Sequence, residues 1–155
     1  MSNPTRLASL ADLAAIDGKP LGASSWQTLT FEDIVRFADA TGDHQWIHVD
    51  RERALRESPF KAPIAHGYYA IARIAGLFSE VVTSDPTTFI VNYGINRARF
   101  PAALVEGCRY RLQLTHGSTK PRDDGADVVF QATMEIEDSE RPACVAEVLF
   151  RFRFA

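Results

Sequence analysis

Asp43 and His48 stand five positions apart in Gly42-Asp43-His44-Gln45-Trp46-Ile47-His48. Gly67 follows nineteen residues after His48, in Ile64-Ala65-His66-Gly67. A carboxylate and an imidazole can share the activation of one water. A backbone N–H at a helix start can face an oxygen on which negative charge develops. These are the parts needed to add water across a polarised double bond. The proposal needs irregular backbone around Asp43 and a helix that opens at Gly67.

The surrounding sequence supplies both. Thr30-Phe31-Glu32-Asp33 has capping-box form, with Asp33 in place of Glu. Ile34, Phe37 and Ala38 recur at helical spacing, and Gly42 can end that helix. Asp43 then falls just outside it. Asp50 can cap a short helix over 51–57, which Pro59 stops. Residues 67–82 carry Ile71, Ile74, Ala75, Leu77, Phe78 and Val81, with Arg73 and Glu80 as the only charges. A helix apolar nearly all round is a buried one.

After Ser84-Asp85-Pro86 the period changes to two. Strands are expected over 88–100, 105–117, 126–137 and 143–154, and a further one over 26–29. In the last, Phe150, Phe152 and Phe154 alternate with Arg151 and Arg153, so one face is apolar and one solvated. Lys120 to Gly125 reads as a loop. At the other end, residues 1–18 read as a helix: Asn3 caps, Pro4 takes the first position, Leu7, Leu10 and Leu13 share a face, and Gly18 stops it. One buried helix wrapped by a long, mostly antiparallel sheet is an α+β architecture.

The 155 residues fit a single domain, 1–155, with a real core. Hydrophobic content of 46%, charged content of 24% and a net charge of −3 are ordinary for a globular protein and do not suggest nucleic acid. No segment reads as a membrane span, and Asp12 interrupts the one stretch, Leu7 to Ile16, that imitates a signal peptide. Cys108 and Cys144 lack any metal-type spacing and read as buried thiols, which suits a reducing cytoplasm. His44 and His48 have the spacing of a metal pair, but Gly42 before them and Asp50 after argue against one continuous helix. No metal site is expected. Each chemical reading has a structural rival. Asp43 could be a turn residue. His48 could be a core histidine bonded to backbone, His66 a structural donor at the helix start, and Trp46 plain packing.

Three blocks in order resemble the MaoC-like dehydratases, a family that includes the (R)-specific enoyl-CoA hydratases and the NodN-type proteins. Phe37, Thr41, Gly42, Asp43, Ile47 and His48 match the hydratase motif. Gln45 and Trp46 stand where Asn-Pro is usual, as in the NodN-type branch. Ile64 to Gly67 is the second block, and Tyr93 to Pro101 the third. The resemblance spans about Thr30 to Phe154. It implies a hot-dog fold, a homodimer and an acyl-thioester substrate.

By that resemblance Asp43 and His48 hold the water that attacks C3 of a trans-2-enoyl-CoA. The product is an (R)-3-hydroxyacyl thioester, and the Gly67 amide stabilises the thioester oxygen. No metal or redox cofactor is needed; coenzyme A enters only as part of the substrate. His66 and Trp46 are candidate substrate contacts. Arg97 and Arg99 are candidates for the phosphates of coenzyme A, ahead of Lys61, Lys120 and Arg122. Two alternatives remain open. One is a hot-dog thioesterase. The other is a non-enzymatic acyl-thioester-binding or nodulation-accessory protein, for which the Gln45-Trp46 departure leaves room. Chain length, and coenzyme A against acyl carrier protein, are not encoded in these motifs.

Overall fold

The computed structural model describes residues 3–154. In chain order the elements are β1 (Thr5–Arg6), α1 (Leu10–Ala15), β2 (Pro20–Ala23), β3 (Gln27–Thr28), α2 (Phe31–Thr41), α3 (Trp46–Val49), α4 (Arg51–Glu57), α5 (Gly67–Val81), β4 (Val82–Thr83), β5 (Phe89–Arg99), β6 (Arg109–Arg122), β7 (Gly125–Ile136) and β8 (Cys144–Arg153). The main sheet runs β2-β6-β7-β8-β5, with β3 also on β6, and every pairing in it is antiparallel. β1 and β4 form a separate parallel pair.

One face of the sheet packs on α5. Phe78 stacks on Phe150 with ring centroids 4.3 Å apart, and Phe130 meets both edge-on. Ile74, Leu77 and Val81 complete the inward stripe. Leu112, Leu114, Val128, Met134 and Phe152 meet it from the sheet. Each such side chain contributes about 1.5–3 kcal/mol by leaving water. In β8, Phe150 and Phe152 are buried while Arg151 and Arg153 are not, as the alternation requires.

α5 is not buried all round. Ala72, Ala75 and Gly76 are exposed. A cavity of about 360 Å³ opens between this face and β5, lined by Ile71, Ala72, Ala75, Gly94, Ile95 and Leu149 among others. β5 is an edge strand, and Phe89, Val91, Tyr93 and Ile95 are all exposed on it.

Three further expectations are corrected. The N-terminal helix begins at Leu10, because Ser9 is its cap: Ser9 Oγ accepts from the Asp12 N–H at 3.1 Å. Before it, Thr5–Arg6 is extended and pairs with Val82–Thr83; the first two residues of the expected 1–18 helix lie outside the described residues. The loop expected at 120–125 is a tight hairpin. β6 continues to Arg122, which pairs with Gly125 across Asp123-Asp124. The strand expected to start at 105 begins at Arg109, since Gly107 turns at φ 84°. None of the described helices is long and apolar enough to cross a membrane.

Candidate active site

Asp43 owes its position to α2. Thr30 Oγ accepts from the Asp33 N–H at 3.1 Å and Asp33 Oδ2 accepts from the Thr30 N–H at 3.2 Å, so the capping box forms as read. Such a cap is worth about 1 kcal/mol. At the other end Gly42 turns left-handed at φ 77°, a conformation that costs glycine little. The chain leaves the helix axis there, and Asp43 Oδ1 accepts from the Gln45 N–H at 3.3 Å. The Asp43 side chain stays 57% exposed.

His48 sits on the single turn α3, a helix that the irregular backbone expected here did not include, and it is buried. Its Nδ1 lies 2.6 Å from the Ile64 carbonyl oxygen. A carbonyl only accepts, so Nδ1 carries the proton and Nε2 keeps its lone pair. Burial pushes the imidazole below its ordinary pKa, against smaller opposing pulls from the Ile64 carbonyl and Asp43. A neutral ring with a bare Nε2 can act as a general base.

His66 precedes α5 and is also buried. Its Nε2–H donates to the Asp43 carbonyl at 2.8 Å. Its ring lies on the His48 ring, with centroids 3.6 Å apart and planes 23° apart. Phe37 backs it, its ring centroid 5.2 Å away. Two backbone bonds hold this segment: Ala65 N–H to the Leu104 carbonyl at 2.8 Å and Ile64 N–H to the Ile47 carbonyl at 3.2 Å. The α5 N-terminus has no side-chain cap. Its leading N–H groups, Gly67 first, are available to an oxygen, and the helix dipole favours negative charge there.

Beside Gly67 a cavity of about 360 Å³ is lined by Phe60, His66, Gly67, Ala70, Phe100 and Leu104 among others. Phe100 explains why position 67 lacks a side chain. A Cβ there would lie 2.9 Å from the nearest Phe100 ring carbon.

Atoms of Asp43, His48 and His66 able to bind a proton or a metal lie within 4.8 Å of one another. One water about 2.8 Å from each of two groups spans such a gap. The set suits a metal ion poorly. A zinc ion sits about 2.0–2.1 Å from an imidazole nitrogen, in the ring plane. Two rings stacked nearly parallel cannot both meet that requirement.

The structure thus brings Asp43, His48, His66 and Gly67 together. The other candidates lie elsewhere. Trp46 packs under the Arg53 guanidinium, 4.3 Å from ring centroid to Cζ, and does not line the cavity. Arg97 pairs with Glu147 at 2.9 Å, and Arg99 donates to the Ala98 carbonyl at 2.7 Å. Both line a separate groove with Gln131, Val145 and Ala146. Lys61 Nζ donates to the Arg56 carbonyl at 3.1 Å. Arg122 lies 3.5 Å from Asp127, and Lys120 lies on β6 opposite Asp127. Sequence reading missed the Ile64 carbonyl, which no side chain signals, and Phe60. Phe100 was within reach, as part of the third block.

Comparison with known proteins bears on family and fold. The family profile described as "MaoC like domain" matches residues 12–138. A 3-hydroxyacyl-thioester dehydratase Z from Mycobacterium tuberculosis is 43% identical over 145 residues, covering 93% of this chain and 95% of that one. Nodulation protein N from Rhizobium leguminosarum bv. viciae is 38% identical over 150 residues, covering 94% and 92%. Among solved structures, the R-hydratase PhaJ1 from Pseudomonas aeruginosa superposes with a TM-score of 0.72 at 20% identity, over 87% of this chain and 83% of that one. That likeness shows the hot-dog fold. By its sequence match over most of its length, the chain belongs to the MaoC-like dehydratase family.

Proposed function

We propose that the chain is an (R)-specific hydratase of trans-2-enoyl thioesters, working reversibly as a 3-hydroxyacyl-thioester dehydratase. The observation that carries this is the state of His48. Its Nδ1–H is held by the Ile64 carbonyl, its Nε2 has no hydrogen-bond partner among the described residues, and the ring has a nitrogen within 4.8 Å of an Asp43 carboxylate oxygen. In hydration that water gives its oxygen to C3 of the enoyl thioester. His48 and Asp43 take up the proton it loses, and a proton is returned to C2. The thioester oxygen gains negative charge and meets the Gly67 N–H. The reaction is redox-neutral and needs no cofactor beyond the thioester's own carrier, coenzyme A or acyl carrier protein. Of the candidate cations, Arg99 is the one we assign to an anionic carrier, since Arg97 is already paired with Glu147. We place the protein in the cytoplasm, where free Cys108 and Cys144 stay reduced; burial raises both thiol pKa values, that of Cys144 to about 11. We also propose a homodimer, in which a second copy covers β5 and the small-residue face of α5.

Crotonyl-CoA provides the test. Its conjugated absorbance should bleach without release of a free thiol, and an (R)-specific 3-hydroxyacyl-CoA dehydrogenase should oxidise the product. Thiol release would move the protein to the thioesterases. Tight binding of enoyl thioesters of every length without turnover would make it a non-catalytic binder, the reading for which Gln45-Trp46 leaves room.

A further inference from the structure

Resting on the hydration reading, we propose that His66 is a positioning residue that clamps Asp43 and His48 at one fixed spacing. One ring makes two different contacts. Its edge donates from Nε2 to the backbone of Asp43. Its face lies 3.6 Å from that of His48. The acid comes from the end of α2 and the base from α3, and no direct bond between the two side chains holds them. His66 comes from a third segment, ahead of α5, and touches both. The clamp is itself anchored by Phe37 behind the ring and by the bond of Ala65 N–H to the Leu104 carbonyl.

The same ring ties the pair to the helix start. His66 is the residue before Gly67, so the clamp fixes the base against the amide that faces the thioester oxygen. His66 and Gly67 line one cavity. Its Nδ1 is the buried side-chain polar atom without a partner among the described residues. A buried unpaired acceptor destabilises a fold. A leucine or phenylalanine would avoid that, so the position is filled at some expense to stability. The Nε2 donor and the flat face explain why an imidazole stands there.

The two contacts separate by substitution. His66→Ala removes both. His66→Gln places an N–H near the Nε2 position and loses the face. His66→Phe keeps the face and loses the donor. Misplacing a reacting group by about 1 Å can lower turnover on the order of 10²-fold. We expect His66→Ala to lower kcat by about 30- to 100-fold with KM changed less than about threefold. Gln and Phe should each restore part of that loss. The acid limb of kcat/KM, which reports the base of the free enzyme, should move to higher pH in His66→Phe, because a charged His66 opposes charging of His48. A role confined to packing would lower the melting temperature and leave kcat per folded molecule and the acid limb in place, which would overturn the proposal.

Ring ¹⁵N shifts of His48 give a readout independent of turnover. In the wild-type protein they should show protonated Nδ1 and bare Nε2. In His66→Ala they should broaden or average between tautomers. Unchanged His48 shifts and titration in His66→Ala overturn the clamp even if the protein hydrates nothing. A wild-type protein inert toward every enoyl thioester, with His48 still perturbed in His66→Ala, would remove the hydration reading and keep the clamp.

Discussion

Gly67→Ala adds one carbon at a place where the structure says what it will meet. The new Cβ would stand 2.9, 3.0 and 3.1 Å from three carbons of the Phe100 ring. Comfortable carbon contacts are about 3.5–4.0 Å, so the ring must retreat by roughly 0.5–1 Å. Phe100 is 42% exposed and can do so. Alanine is also the better helix former by up to about 1 kcal/mol. The two effects nearly cancel, and we expect the melting temperature to shift by less than about 4 °C. Activity is another matter. The displaced ring moves within the cavity proposed for the thioester, beside the amide proposed for its oxygen. We expect kcat/KM for crotonyl-CoA, followed by loss of enoyl absorbance, to fall about 100-fold. Phe100→Ala on the Gly67→Ala background should recover most of it, because the clash is with that ring. Normal hydration by Gly67→Ala alone would refute the role given to this helix start. A full loss that Phe100→Ala does not relieve would refute the route through Phe100.

Asp43→Asn and His48→Gln should each lower kcat on the order of 10²–10⁴-fold, with the double variant far short of the product, since both act on one water; two independent losses would separate the residues. Stability should fall as pH drops below about 6.5: burial lowers the pKa values of His48 and His116, so the unfolded chain takes up protons that the fold refuses, at up to about 1.4 kcal/mol per pH unit for each group. His44, raised and exposed beside Asp39, works in the opposite direction, its contribution fading as pH rises. Denaturant unfolding between pH 7.5 and 5 checks the sign, and a slope unaltered in His116→Gln would refute the share given to His116. Sedimentation should give about twice the 17.2 kDa chain mass, and Ile95→Asp on the exposed edge should give monomers; a monomeric, fully active wild type would overturn the assembly.

The parts of the fold that were legible in sequence are those whose signal is local. α2 announces itself through Thr30, Asp33 and Gly42. β8 does so through phenylalanines at every second place, and α5 through fifteen residues with two charges. What stayed hidden depends on distant partners. Thr5–Arg6 is a strand only because Val82–Thr83 lies beside it. β2, Pro20-Leu21-Gly22-Ala23, has no alternation and is held by β6. The site divides the same way. Asp43, His48, His66 and Gly67 could be picked out by type and spacing. The pairing of Arg97 with Glu147 follows from sheet register, which periodicity does not encode. Trp46 follows the helical geometry of α3 and α4, which brings Arg53 onto its face. The face-to-face histidines follow from loop geometry that no motif describes.

The partner that orients His48 has an evolutionary consequence. Many histidine bases are oriented by a carboxylate, and one codon change there can silence the enzyme. Here the acceptor is the main chain of residue 64, and every amino acid brings the same carbonyl. Drift at position 64 can reshape the cavity it lines without touching the protonation pattern of the base. The main-chain oxygen of Asp43, which receives the His66 proton donor, has the same immunity. Substrate preference and basic chemistry are therefore inherited through different atoms of the same residues. On the proposed function, a lineage built on this site could explore new acyl groups by side-chain change at Ile64 while the His48 tautomer stays beyond the reach of mutation there.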